Sequence, residues 1–392
     1  MAARSLPAGV SGTVEPGWHG VADAFASNFA EHGEVGAACC LYIDGAPVVD
    51  IWGGAAETEP YRPWNRETIV IAYSCTKGVT AVCANQLIQQ GRLDPEAPVA
   101  QYWPEFAANG KADIPVKWAL SHRAGLAEVQ GEYTLDDVAA WDPVVEGIAA
   151  QAPVWEPGTK HGYHTRSYGW IVGEIIRRIT GLSPGTYFAQ AVAAPLGLDF
   201  YIGVPEEMDA RVARMYPAVH DAETQAMIDA FLADQSTLMG RVMSGPSRLF
   251  AYNDMWNTRQ MRAAELPSSN GHGDARSLAR MYAACIGDVD GVRLLNDETV
   301  TRATEVLSSG VDCVIGQPLT IGLGFMLAPT FPPGVGLRTF GHSGAGGSLA
   351  FADPDRGLGF AYVMNQMKLS VTHLDPRGNA LVTAAYQVLG AS

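Results

Sequence analysis

Apolar residues recur at helical spacing over 18–32, where Val21, Ala24, Phe25 and Phe29 share one face. The pattern then changes. VGAACCLYIDGAPVVDIWGG (35–54) holds two apolar runs around Asp44-Gly45, a turn-forming pair, and predicts a β-hairpin. TIVIAY (68–73) is an apolar approach to Ser74, and a helical pattern runs from Ser74 to Gln90 until Gly91 stops it. Helical signals dominate the middle of the chain: 116–126 with a break at Gly125, 134–150, 167–180, 205–214, 221–234, 274–287 and 296–307. Beyond them come short apolar runs parted by turn residues at 321–328, 337–344, 347–354 and 357–366. Asp353-Pro354-Asp355-Arg356-Gly357 supplies Pro and Asp to start a turn and Gly to permit positive φ. Residues 376–390 close the chain as a helix.

Strands thus sit at both ends of the sequence and helices between them. The pattern predicts a single α+β domain spanning 1–392. Its antiparallel sheet is built from both termini and flanked by helices, over 18–73 and 288–392, and a mainly helical subdomain is inserted at 74–287. A substrate cleft is expected between the two parts.

Composition narrows the function classes. The chain has 392 residues, 47% hydrophobic and 17% charged, enough for a sizeable core. Its net charge of −15 argues against nucleic acid or an anionic membrane surface as partner. No apolar run approaches the roughly 18 residues that span a bilayer. The first 18 residues carry no continuous apolar segment, so no signal peptide is expected. The six cysteines form no C-x-x-C pair and resemble neither a disulfide framework nor a zinc site. Free thiols, buried in the case of Cys39 and Cys40, fit the cytoplasm. His161, His164 and His272 lack metal-ligand spacing, so neither metal nor cofactor is expected.

Three segments could carry chemistry. In Ser74-Cys75-Thr76-Lys77 the hydroxyl and amine share one helix face, because positions i and i+3 are neighbours. A serine becomes nucleophilic when a base takes its proton, and a lysine can do so once burial or a cationic neighbour lowers its pKa. A serine at a helix start can equally be an N-cap, so the pair is weak evidence alone. WEPGTKHGYHTRSYGW (155–170) delivers Tyr163 on a loop ahead of a helix, where a phenol can move protons; Tyr168 reads as packing. Phe340-Gly341-His342-Ser343-Gly344-Ala345-Gly346-Gly347 ends one strand and begins another, and its small residues admit a ligand close to the backbone.

A rival serine lies in Gly181-Leu182-Ser183-Pro184-Gly185, formally G-x-S-x-G. It follows a helix rather than a strand, and Pro184 lacks the N–H that such a nucleophile elbow needs. A helix C-cap and loop is the expected reading.

In this order and at these separations, the three segments resemble the class C β-lactamases and DD-peptidases, and most of all the family VIII carboxylesterases. S-C-T-K matches their S-x-x-K motif, Tyr163-His164-Thr165 stands at Y-x-N, and His342-Ser343-Gly344 stands at K-T-G. The likeness runs over about residues 20–390 and includes the connecting stretches 91–106, 120–126 and 179–188. It implies Ser74 as the acylated nucleophile, Lys77 as its activator and Tyr163 as proton shuttle. It implies an oxyanion hole from the Ser74 and Ala345 amides, with His342, Ser343 and Gly344 lining the cleft. Thr165 replaces an Asn that holds the substrate amide, and His342 replaces a permanent cation. Both departures favour a neutral small-molecule ester over a β-lactam, and the implied activity is hydrolysis of short-acyl esters. A β-lactamase, peptidase, amidase or acyltransferase would use the same residues, and an acyl-trapping sensor is the non-catalytic alternative.

Overall fold

The computed structural model describes residues 5–368 and 375–390. Asp44 and Gly45 both take positive φ, 48° and 83°, and turn β2 (Gly36–Ile43) into β3 (Ala46–Thr58) as the hairpin pattern predicts. β1 (Val10–Val14) adds to the outer edge of β3, where β4 (Tyr61–Pro63) also pairs. β5 (Val70–Ile71), β6 (Phe200–Tyr201) and β7 (His272–Gly273) form a separate small sheet with β7 in the centre. The C-terminal strands are β8 (Ser308–Val311), β9 (Pro318–Ile321), β10 (Met326–Leu327), β11 (Phe340–Ser343), β12 (Leu349–Asp353) and β13 (Leu358–Met364).

The large sheet is antiparallel and runs β1-β3-β2-β13-β12-β11-β10-β9-β8. The two ends of the chain meet where β13 pairs with β2, Ala361 opposite Cys40 and Tyr362 opposite Cys39. The expected α+β sheet built from both termini is therefore the architecture found. Both strands are apolar along nearly their whole length because helices cover both faces. On one face the Ala275–Ile286 helix comes so close to β13 that a Cβ at Gly359 would collide with the Ala279 carbonyl. Tyr362, of opposite parity, faces the Pro376–Gly390 helix on the other side, where a Cβ at Gly378 would meet its ring at 3.8 Å. β1 and the Ala275–Ile286 helix extend the sheet layer beyond the segments 18–73 and 288–392.

Several elements are shorter than the hydrophobic pattern predicts, each for a local backbone reason. The 116–126 helix spans only Val116–Leu120, and His122 turns the chain away at φ 61°. Trp141, at φ 71°, divides 134–150 into Leu135–Ala140 and Asp142–Ala150. The 205–214 segment is a 3-10 turn, Glu206–Arg211, because Pro205 starts it and no residue in it is buried. The 296–307 helix ends at Ala303 and passes into β8, while 321–328 is split by a tight turn at Gly324, φ 87°.

The small sheet positions the candidate nucleophile. Val70 and Ile71 pair with Gly273 and His272, and Ala72 N donates to Gly271 O at 2.8 Å. The chain then reverses at Tyr73 and enters the Cys75–Gln89 helix, which packs beneath β11 and is buried almost all round.

Candidate active site

Ser74 occupies the N-cap position of the Cys75–Gln89 helix, yet with helical φ/ψ of −68° and −8° its side chain makes no capping bond. The structural role that competed for this serine is thus not taken. Its hydroxyl lies 3.3 Å from Lys77 Nζ and is near enough to Tyr163 to act on its phenol. Tyr73, just before it, holds a φ of 44°, a left-handed conformation that costs a bulky residue about 1–3 kcal/mol. Edge-to-face packing on Trp256 and Tyr252, at 5.4 and 5.8 Å, holds Tyr73 there, and its hydroxyl donates to Met367 Sδ at 3.5 Å.

Lys77 is fully buried. Its amine donates to the carbonyls of Thr165, at 2.6 Å, and Ser268, at 2.9 Å, and it has no carboxylate partner among the described residues. Burial first, and the charge of Arg166 second, hold its pKa well below 10.5. Once deprotonated, an amine whose two N–H bonds end on carbonyls would keep its lone pair for the Ser74 hydroxyl, an arrangement that can serve a general base.

Tyr163 reaches the same point from the loop before the Ser167–Thr180 helix. Its backbone N–H donates to Asp312 Oδ1 at 3.0 Å, and Asp312 also accepts from the Val314 and Ile315 amides. The ring packs on His122 at 5.0 Å, with Lys77 Nζ 4.8 Å from its centroid. Burial raises the phenol pKa against the opposing effect of Ser74, so Tyr163 stays protonated at neutral pH. Tyr168 is buried packing, as expected.

β11 closes the site from the other side. His342 is only 1% exposed, and its Nδ1 bonds the Ser343 carbonyl at 2.6 Å. Burial, with Lys77 nearby, lowers its pKa to about 3, so it carries no charge at neutral pH. Ser343 points its hydroxyl at Met326 Sδ, 3.7 Å away. The Gly344 amide is engaged by the Ser348 carbonyl at 2.7 Å. Among the described residues the Ser74 and Ala345 amides donate to no other group. From behind, Arg377 holds this turn by donating to the Gly346 carbonyl at 2.7 Å.

Three contributors escaped the sequence reading: Ser268, Asp312 and Arg166. The first two act through a carbonyl and a loop-capping carboxylate, for which no motif exists. Arg166 did leave a signal, since a cationic neighbour is one of the two ways to lower the lysine pKa and this arginine lies three residues after Tyr163. The Gly181–Gly185 segment holds a helix C-cap, as expected: Gly181, at φ 74°, ends the Ser167–Thr180 helix. Ser183 itself is the N-cap of the Pro184–Phe188 helix, accepting from Thr186 N and donating to Glu265 at 2.6 Å. Trp155 packs edge-on against His164 at 5.8 Å.

Known proteins resemble the chain along nearly its whole length. The Beta-lactamase family model matches residues 21–384. The Esterase/beta-lactamase LipL of Mycobacterium tuberculosis is 35% identical over 379 residues, covering 94% of this chain and 86% of that protein. A crystal structure of a family VIII carboxylesterase superposes with a TM-score of 0.87 at 40% identity, covering 97% of this chain and 99% of that one. A penicillin-binding protein homologue from Caulobacter crescentus gives 0.86 at 34% identity, with 97% and 99% covered. A match across nearly the whole chain, joined to a serine held by a buried amine, means that the protein belongs to the beta-lactamase family and is a serine hydrolase.

Proposed function

We propose that the protein is a carboxylesterase that cleaves small, short-acyl, neutral esters through an acyl-enzyme on Ser74. The observation that carries this reading is the Lys77 amine, buried without a counter-ion and 3.3 Å from the Ser74 hydroxyl. Lys77 takes the Ser74 proton as Oγ attacks the ester carbonyl. The negative oxygen that forms is received by the Ser74 and Ala345 amides at the positive end of the Cys75–Gln89 helix. Tyr163 gives its proton to the departing alkoxide and is reprotonated from Lys77. Water then attacks the acyl-enzyme, its proton passing to the same pair, and Ser74 is released with the carboxylic acid.

Substrate class follows from the charges around the serine. Neutral His342 offers no cation to a substrate carboxylate. The Thr165 hydroxyl is directed at Met243 Sδ, 3.5 Å away, instead of a substrate amide. Esterases among the similar proteins support the same choice. β-Lactam hydrolysis is the second reading, favoured by the double name of the mycobacterial relative. No described helix is long and apolar enough to cross a membrane. A cytoplasmic location is part of the proposal, supported by the free cysteines.

The test is turnover of p-nitrophenyl acetate by Ser74→Ala, Lys77→Ala and Tyr163→Phe, beside a chromogenic cephalosporin. Loss of about 10²–10⁴-fold in kcat for the Tyr163 and Lys77 variants is expected. Near-normal turnover by Lys77→Ala would sink the Ser–Lys mechanism, and a cephalosporin cleaved faster than the ester would select the second reading.

A further inference from the structure

Arg166 is a buried cation with an unusual set of partners. It is 4% exposed and has no carboxylate partner among the described residues. Its Nη1 donates to the Met243 carbonyl at 2.7 Å, with the Val242 and Gly245 carbonyls at 3.3 Å. Its guanidinium lies over the Phe250 ring, 4.1 Å from the centroid. Its Nε has no hydrogen-bond partner.

The backbone of the same residue frames the Lys77 cradle. The Thr165 carbonyl that accepts from Lys77 belongs to the Thr165–Arg166 peptide unit. The Ser268 hydroxyl donates to the Arg166 carbonyl at 3.1 Å, while the Ser268 carbonyl accepts from Lys77. Both acceptors of the amine are therefore tied to one residue, and the side chain of that residue is anchored to the last carbonyls of the Leu238–Ser244 helix and its cap, Gly245.

The other titratable groups around Lys77 supply no charge. Cys75, on the same helix, is a thiol that burial keeps protonated, and Tyr163, on the facing loop, is a phenol. His122, His164 and His342 are neutral, the last two with pKa values lowered to about 4 and about 3. Among the described residues Arg166 remains the one fixed charge that acts on the amine.

We propose that Arg166 is a positioning residue for the Ser74–Lys77 pair: it locks the two-carbonyl cradle to the C-terminal end of the Leu238–Ser244 helix and sets a positive charge without a carboxylate partner within electrostatic reach of the amine. Neutral His342 supplies no charge to the amine, and Arg166 does. A positive neighbour favours the neutral amine, so Lys77 is ready to accept a proton at lower pH than it otherwise would be.

This proposal rests on Lys77 being the general base. Its test is kcat/KM against pH for p-nitrophenyl acetate with Arg166→Gln, Arg166→Lys and Lys77→Ala. Arg166→Gln keeps amide donors and loses the charge, so its acid limb should move up by about one pH unit, a tenfold loss below the limb. Arg166→Lys keeps the charge and loses the fork, so its limb should stay at the wild-type pH while kcat falls. An unmoved limb in Arg166→Gln, with activity lowered equally at every pH, overturns the proposal. If Arg166→Gln does not fold, Arg166→Lys decides, and an upward-shifted limb there overturns it. An active Lys77→Ala protein condemns the base assignment itself; an inactive one with an unmoved Arg166→Gln limb condemns only the role of Arg166.

Discussion

Replacing Lys77 by Met should change how stability depends on pH, with no substrate present. The folded protein holds this fully buried amine with its pKa well below 10.5, its ordinary value, by burial and by Arg166. The unfolded chain keeps the ordinary value. Between the two pKa values the unfolded state binds one more proton than the folded state, so stability rises with pH. The slope is about 1.4 kcal/mol per pH unit, lost as pH falls towards the folded pKa and complete above 10.5. Lys77→Met removes this slope. It also leaves the Thr165 and Ser268 carbonyls without their donor, at a cost of about 1–3 kcal/mol each. That second effect is the same at every pH and cancels from the comparison. Urea unfolding of both proteins at about pH 8.0 and 9.5 should therefore show wild type gaining more than the variant, up to about 2 kcal/mol. The buried thiols titrate alike in both and drop out. A difference between the proteins that does not change with pH would mean that Lys77 stays charged in the fold, and the general-base assignment would fall with it.

Ser183→Ala should leave ester turnover intact and cost about 1 kcal/mol in urea unfolding, because Ser183 caps a helix and bonds Glu265; an inactive but folded variant would move the nucleophile to Ser183. Arg377→Met should cost about 3–5 kcal/mol, because Arg377 is buried and pairs with Glu34 and Asp375, which lose their cation. It also frees the Gly346 carbonyl beside Ala345, so ester kcat should fall in the protein that still folds. Unchanged kcat there would separate the turn from oxyanion binding.

Local structure was legible wherever neighbours along the chain decide it. The Asp44-Gly45 and Asp353–Gly357 turns, the pairing of terminal strands and the Ser74–Lys77 spacing all follow from periodicity and from residues that permit positive φ. Element ends were less legible, because Trp141 and His122 take left-handed backbone for which their side chains give no cue. The N-cap role of Ser183 was not legible either, because the helix it caps is only five residues long, too short for a hydrophobic period.

The sequence alone determined which side chains could do the chemistry, since S-x-x-K on a helix joins a hydroxyl and an amine through a single turn. It could not determine their charge states. Those depend on desolvation and on partners far away along the chain: Lys77 meets Thr165 and Ser268 across 88 and 191 residues, and Tyr163 meets Asp312 across 149. Only the tertiary structure buries His342 into neutrality and sets Arg166 beside the amine, because a pKa is fixed by the medium and charges within a few ångströms in space, whatever their distance in sequence.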